Sequence, residues 1–415
     1  MVDIASVMER TFGSRAHRAA TGSTPLPRFV FITNILPPYR IPLFECPSDL
    51  HIGDIEIWLM ALAEANRGWN FDRGRLRVRV FGDWGFDLSK FEGPVLHLNP
   101  GLLWELLRSP PDLVILFGYD SVTAVVASIL MKIRSIPFLF WIESTPMEES
   151  CLRRFARPLL RAFVHIASGV VVPGSAAYEY AQSLGVDRDR IFVAPNSVNV
   201  EAYSLAGDPS AKDHARSELG LGGVPVCLYV GRLSRQKGIL DLIAAFKSVL
   251  DQHPTSRLLI VGDGPLRREL EDLISSDAAL GRHVAQIGHQ PYEKLPQFYM
   301  AADLFIFPTH KDVWGMVVNE AMSAGLPVVA SDRAGATRDL VLDSVTGFSF
   351  NAGEVESLSS RVAILIQDSD LRQTMGRAAR ARILRGFTPT HQSAAFVTAI
   401  AKTLWRVKPG GPNDD

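Results

Sequence analysis

Three cysteines in 415 residues, Cys46, Cys151 and Cys227, are too few and too scattered for a disulfide framework or a zinc site. That usage fits a reducing compartment. No apolar run reaches the roughly 20 residues that a bilayer-crossing helix needs. Net charge is nearly absent as well. The 43 Lys and Arg stand against 44 Asp and Glu, which leaves no global case for binding nucleic acid. Residues 1–27 carry acids and bases without an apolar centre, so they do not read as a secretory signal. The expectation is a cytoplasmic protein with a flexible leader over 1–27. No carboxylate or cysteine cluster has metal-ligand spacing, so neither a metal nor a bound cofactor is expected. The sequence carries no statement of oligomeric state.

What is present is an ordinary globular composition, 47% apolar and 21% charged, at a length that favours two or three domains. Apolar runs recur at 28–34, 55–60, 78–81, 113–117, 137–142, 169–173 and 191–195. Helical stretches such as 121–134 and 175–184 separate several of them. Strands alternating with helices imply a parallel sheet covered on both faces. A polar segment, 196–224, reads as an inter-domain connection with a hinge near 196–199. A second alternating set then has strands at 226–230, 257–261, 284–287, 303–307 and 327–331. Its helices fall at 238–251, 266–275, 292–301, 315–324 and 357–366. A last helical pattern, 390–407, leads into Pro409-Gly410-Gly411-Pro412, which looks disordered.

The fold class expected is therefore α/β, with two doubly wound, Rossmann-like domains at 28–200 and 201–388. The remainder, 389–415, would be a helix returning to the first domain plus the tail. Two such domains would face one another across a cleft, a common place for a small molecule.

The stretch that organises the second domain runs from Thr309 to Pro327. It follows an apolar strand and opens a helix that Gly325 and Pro327 stop. Asp312 thus lies in the loop at a strand's carboxyl end, and Glu320 lies along the helix. In open α/β sheets ligands bind there. The amides of Gly315, Met316 and Val317 at a helix tip attract anions, and Gly315 would let a ligand approach closely. Two acids flanking an anion site suit a ligand with phosphates and hydroxyls, as in a nucleotide sugar. Taken alone, the same residues also fit a helix cap and a solvated glutamate.

Two further loops add charge. Gly231-Arg232-Leu233-Ser234-Arg235-Gln236-Lys237-Gly238 joins the first strand to the first helix of this domain. Arg232 offers planar donors that match a phosphate, and Lys237 a compact second charge. A surface turn with solvated bases is the plainer reading. Gly262-Asp263-Gly264-Pro265 follows the second strand, and Gly288-His289 the third. Neither is a dinucleotide fingerprint, which needs three spaced glycines after the first strand. Their glycines permit close backbone approach to a ligand.

Taken in order, Gly-Arg-x4-Lys-Gly, Val-Gly-Asp-Gly-Pro and acid-x7-Glu before Ala-Met-Ser-Ala-Gly-Leu-Pro closely resemble the retaining GT-B glycosyltransferases. The resemblance is to the family that holds phosphatidylinositol mannosyltransferases, sucrose and glycogen synthase relatives and many bacterial polysaccharide enzymes (family four). It covers residues 190–350 well. It touches the first domain through Pro37-Pro38-Tyr39-Arg40 and Trp141-Ile142-Glu143-Ser144.

The resemblance implies transfer of a sugar from a nucleotide-diphosphate donor to a hydroxyl acceptor with retention. Arg232 and Lys237 would hold the diphosphate, and Glu320 the ribose hydroxyls. Asp312 with the amides at Gly315, Met316 and Val317 would grip the sugar and distal phosphate. Gly231, Gly262 and Gly288 would lie near the donor. The family usually has Glu where Asp312 stands, and a Gly-Gly loop where Asn34-Ile35-Leu36 stands. Many members use a first-domain histidine near the sugar. Here Glu143 and Ser144 occupy the place where that residue is sought, and Glu143 joins the catalytic candidates.

On the acceptor side, Tyr39, Arg40, Tyr119, Asp120 and Glu143 fall in loops after first-domain strands. Arg153, Arg154, Arg157 and Arg161 interleave with Leu152, Phe155, Leu159, Leu160 and Phe163. Such a helix would lie on an anionic membrane, or simply turn a solvated face outward. A nucleotide-sugar epimerase and a non-catalytic nucleotide-sugar binder on the same frame remain alternatives.

Overall fold

The computed structural model describes residues 26–49, 53–62, 76–84, 86–87, 95–118, 121–146, 151–207 and 209–407. Tyr119, Asp120, nearly all of the leader and the Pro409–Pro412 tail lie outside this set. The chain divides into two compact units. One joins residues 1–197 with 389–415, and the other is 198–388.

The first unit is built on a 7-stranded sheet in the order β3-β2-β1-β6-β7-β8-β9. The strands are β1 Arg28–Thr33, β2 Asp54–Leu59, β3 Arg77–Val80, β6 Leu113–Phe117, β7 Phe138–Trp141, β8 Gly169–Val172 and β9 Ile191–Val193. Neighbours all pair in parallel. Between β3 and β6 lies a small antiparallel pair, β4 Phe86–Asp87 with β5 Val95–Leu96, which sequence reasoning missed. Two-residue strands carry no periodicity to detect.

The inner strands are apolar on both faces because helices cover both. Val30, Ile32, Val114 and Leu116 enter one core. Phe29, Phe31, Leu113 and Ile115 enter the other. This is the two-residue alternation of a pleated strand. The second core is completed from the far end of the chain. The helix Pro389–Val407 inserts Phe396, Val397 and Ile400 there. Ser393 Oγ donates to the Leu43 carbonyl at 3.1 Å, and Ser197 Oγ donates to Gln392 Oε1 at 2.7 Å.

The second unit repeats the plan with a 6-stranded sheet, β12-β11-β10-β13-β14-β15. Its strands are β10 Val226–Val230, β11 Arg257–Val261, β12 Val284–Gly288, β13 Leu304–Phe307, β14 Val328–Ser331 and β15 Gly347–Phe350, again all parallel. Strand order reverses between β10 and β13, so the loops leaving those two strands flank the switch point where ligands bind in such sheets.

Two expectations need correction. The segment 196–224 is no loose connection. It holds a 3-10 turn, Glu201–Gly207, and a helix, Pro209–Glu218. Val198, Val200, Tyr203, Ala215 and Leu221 are buried in the second unit's core. Asp303 anchors that helix through Lys212 at 2.8 Å and through Arg216. Polar surface on a docked helix mimicked a linker. The helix Ser369–Gly386 also went undetected, as did β15. That helix is rich in arginine and buries only Met375, Gly376, Ala379 and Ile383, too thin a stripe to stand out.

Candidate functional site

The second unit's crest is laced by its own backbone. Gly231 N donates to the Val261 carbonyl and Gly262 N to the Gly288 carbonyl, both at 2.9 Å. Gly262 has φ +141°, and a Cβ there would stand 1.9 Å from the Gly231 carbonyl oxygen. Gly315 has φ +97°, and a Cβ would meet the Phe307 ring at 2.6 Å. So both glycines are required by the close approach of the chain to itself. By contrast, a Cβ on Gly288 would meet nothing within 4 Å.

The loops after β10 and β13 are zipped together. The Gln236 carbonyl accepts from His310 N at 2.8 Å and from Thr309 Oγ1 at 3.1 Å. Gln236 Nε2 donates to the Lys311 carbonyl at 3.1 Å. Next to this seam Lys237 Nζ meets Asp312 Oδ2 at 2.5 Å, with side chains 23% and 17% exposed. Asp312 Oδ1 accepts from Trp314 N at 3.2 Å, and Asp312 N donates to the Arg333 carbonyl at 2.9 Å. Trp314 Nε1 in turn donates to buried Asn319 Oδ1 at 2.7 Å. That bond ties the loop to the helix Met316–Ser323. Its cap residue, Gly315, offers no side chain to the opening amides. Met316 and Val317 are half-buried beside it. Arg232 is exposed and makes no ion pair among the described residues.

Glu320 is not solvated. It is buried, at 4% exposure, and its Oε2 accepts from Tyr299 Oη at 2.6 Å. Burial pushes its carboxyl up to about 7, against the opposing pull of the Tyr299 hydrogen bond. Tyr299 sits on the helix Leu295–Ala301, with the Tyr203 ring edge-on at 5.5 Å. Sequence reasoning found Glu320 but missed Tyr299, Trp314 and Asn319. An aromatic on an amphipathic helix reads as ordinary core, and nothing in the spacing marks its hydroxyl.

In the first unit, Arg40 Nη2 meets Glu143 Oε1 at 2.6 Å. The Arg40 guanidinium lies over the rings of Phe117 at 4.9 Å, Trp141 at 5.1 Å and Tyr39 at 5.9 Å. Burial works against its charge, and Glu143 with the neighbouring groups more than offsets that, so its pKa is raised. Tyr39, Arg40 and Glu143, three of the acceptor-side candidates, thus form one cluster at the sheet's carboxyl end. Beside it lies a network that the sequence reading missed. His97 Nδ1 meets Asp83 Oδ2 at 2.5 Å, and Asn99 Nδ2 donates to the carbonyls of Met60, Phe81 and Gly82. Asn99 staples the ends of β2 and β3.

The basic stretch forms the helix Cys151–Ile166, though the side chains of Leu152, Arg153, Arg154 and Phe155 lie outside the described set. Leu160 and Phe163 are buried in the core. Arg157 and Arg161 reach Ser183 at 3.4 Å, and Leu159 stays exposed. Among the described residues no helix is long and apolar enough to cross a membrane. Among them, too, no group of three or more His, Cys, Asp or Glu is placed to hold a metal.

A model of the glycosyl transferases group 1 matches residues 211–382, and a glycosyl transferase 4-like domain matches 55–197. The chain is similar to the sulfoquinovosyl transferase SQD2 of Arabidopsis thaliana, 28% identical over 73% of this chain and 59% of that protein. It is similar to a D-inositol 3-phosphate glycosyltransferase of Nocardia farcinica, 34% identical over 55% of this chain and 51% of that one. The matched region thus spans between half and three-fifths of these curated relatives. Among solved structures, Anabaena HepE in complex with UDP superposes with a TM-score of 0.72 at 22% identity, covering 91% of this chain and 100% of that one.

Proposed function

The chain belongs to the GT-B glycosyltransferases that join a 4-like domain to a group 1 domain, and from that premise we propose that it transfers a sugar from a nucleoside-diphosphate donor to a hydroxyl acceptor with retention. The observation that carries the reading is the seam after β10 and β13, which sets Lys237 against Asp312 at the start of an uncapped helix.

The difficult step is departure of a diphosphate from an anomeric carbon. Cations and amides fixed where that charge develops stabilise the transition state more than the ground state. Lys237 would leave Asp312 for the diphosphate, and Arg232, which has no ion pair to break, would join it. The amides of Met316 and Val317 would meet the distal phosphate. Asp312, released, would accept a sugar hydroxyl, and ionised Glu320 the ribose hydroxyls. For retention, the departing phosphate would take the acceptor's proton on the same face, and no buried carboxylate nucleophile would be needed. Gly231 and Gly288 would flank the donor. Glu143, held by Arg40, would orient an acceptor hydroxyl at the first unit's crest.

The D-inositol 3-phosphate glycosyltransferase named above suggests an inositol-type small molecule as acceptor, with a glycan or a lipid-linked saccharide as the other acceptor classes of this proposal. Peripheral contact of the helix Cys151–Ile166 with an anionic membrane belongs to the same proposal, supported by exposed Leu159 beside Arg157 and Arg161. No flotation with anionic liposomes at low salt would remove it. No observation favours the epimerase, and intact Arg232, Lys237 and Glu320 speak against a degenerate binder.

The test of the main reading is a thermal-shift screen with UDP, GDP, dTDP and ADP sugars, followed by product analysis with acceptors. A ligand that binds the native state raises its melting temperature. The reading expects one nucleotide class to do so and to yield a retained glycoside. A flat screen, or an inverted product, would overturn it.

A further inference from the structure

Glu320 lies on the helix Met316–Ser323 with Val318, Ala321 and Met322 of the same helix packed in the core beneath it. A carboxylate in such a place can turn away, take a proton or be held. Here it is held. The hydroxyl of Tyr299 donates to Oε2 at 2.6 Å, within the range of a charge-assisted O–H···O bond. The tyrosine has little freedom of its own. It is fully buried, its ring edge-on to Tyr203 at 5.5 Å and tilted on Phe305 at 5.8 Å. Arg380, from the helix Ser369–Gly386, donates to the Tyr203 carbonyl at 3.2 Å and to the Ser323 carbonyl. One arginine therefore ties the Tyr203 turn to the end of the helix that carries Glu320.

We propose that Tyr299 is a positioning residue for the donor: its hydroxyl fixes one oxygen of the Glu320 carboxylate so that the other is presented to the ribose hydroxyls of a nucleoside diphosphate. This rests on the reading of Glu320 as the ribose-binding acid. It adds a residue that makes no contact with ligand and acts only through Glu320. Without the phenol, the carboxylate loses its buried donor and its fixed rotamer, and binding ribose must supply both. Tyr299→Phe keeps the ring contacts with Tyr203 and Phe305, so the fold is expected to survive.

The experiment is titration calorimetry on the full chain with UDP and GDP, and with their 2′,3′-dideoxy forms. Wild type, Tyr299→Phe, Glu320→Gln and the double variant are compared. For the nucleotide that wild type binds, Tyr299→Phe should weaken affinity about tenfold. In the Glu320→Gln background the same change should cost nothing more, because the hydroxyl acts through that carboxylate. Wild type and Tyr299→Phe should bind the dideoxy form equally. Tyr203→Phe removes a neighbouring hydroxyl that bonds to Tyr292 rather than to Glu320 and should weaken affinity less than Tyr299→Phe does. Equal binding of the ribonucleotide by wild type and Tyr299→Phe, or additive losses in the double variant, would overturn the proposal while leaving the function standing. Failure of wild type to bind either nucleotide at millimolar concentration, with ADP and dTDP failing in the same titration, would instead remove the functional reading, and this proposal with it.

Discussion

At the carboxyl end of each sheet a cation meets a carboxylate: Arg40 on Glu143 in the first unit at 2.6 Å, Lys237 on Asp312 in the second at 2.5 Å. The surroundings differ. Arg40 is boxed by Phe117, Trp141 and Tyr39, and its side chain is 13% exposed. A planar guanidinium stacked on rings keeps its charge and its place. Lys237 has no ring over it among the described residues. It stands beside a helix tip without a side-chain cap and two loops that share their hydrogen bonds. An ammonium on a flexible stem exchanges one anion for another at little cost. On the proposed reading the two pairs therefore serve different purposes: Arg40 fixes Glu143 in place toward an acceptor, and Lys237 is free to exchange Asp312 for a donor diphosphate.

The sharpest way to break this contrast is to truncate both cations. Lys237→Ala should lower sugar transfer about thousandfold, a loss typical of removing one fixed donor to developing charge. Its melting temperature should stay near that of wild type, because an ion pair partly open to solvent adds little stability. Transfer within tenfold of wild type would refute the assignment. Arg40→Ala should show the reverse ranking, with a stability loss of about 3 kcal/mol in urea titration. It leaves Glu143 uncompensated and empties the space between three rings. An Arg40→Ala protein as stable as wild type would erase the distinction between the two crests.

How much of this was legible in the sequence follows from what each residue has to show. Parallel strands buried on both faces are continuous apolar runs, so β6, β10 and β11 were bounded correctly by inspection. Arg232, Lys237 and Asp312 stood out as charges in glycine-bearing loops at strand ends, whereas Glu320, inside a helix, stood out only by its spacing from Asp312 and the family resemblance. The reasons behind the glycines did not show. Gly262 and Gly315 are demanded by Gly231 and Phe307, contacts distant or oblique in sequence. The pairing of Arg40 with Glu143 spans 103 positions, and no local pattern announces it. Tyr299 was hidden for the opposite reason: its ring does what a core aromatic does, and only the hydroxyl is special.

Glu320 sharpens the contrast by pH. Its ordinary value of 4.5 rises to about 7 on folding, with burial the largest cause. An acid raised in this way takes up a proton as the chain folds anywhere between those two values. Its contribution therefore favours the fold below about 4.5 and weakens it as pH rises through 7. Glu320→Gln removes that dependence. The variant should match wild type near pH 4 and exceed it by on the order of 3 kcal/mol near pH 8, read from urea midpoints. Parallel pH profiles for Glu320→Gln and wild type would show that Glu320 is ionised at no cost.

The smallest effect expected is also the most discriminating. Asp312 has a short side chain that is held at both oxygens, by Lys237 and by Trp314 N. Asp312→Glu adds one methylene and moves the carboxylate about one bond length toward Lys237. Either the loop shifts or the ion pair reorients, and neither disturbs the buried Trp314–Asn319 bond that anchors the loop. Transfer should therefore change by about tenfold, the low end of what one methylene is worth in a binding site. What should move is the ranking among donor sugars, since this carboxylate is read as gripping the sugar while Arg232 and the helix amides hold phosphate. A panel of sugars on one nucleotide reads that ranking directly. An unchanged ranking with uniformly lower turnover would place Asp312 in the same holding role as Glu143, and Lys237 would then be a structural cation like Arg40.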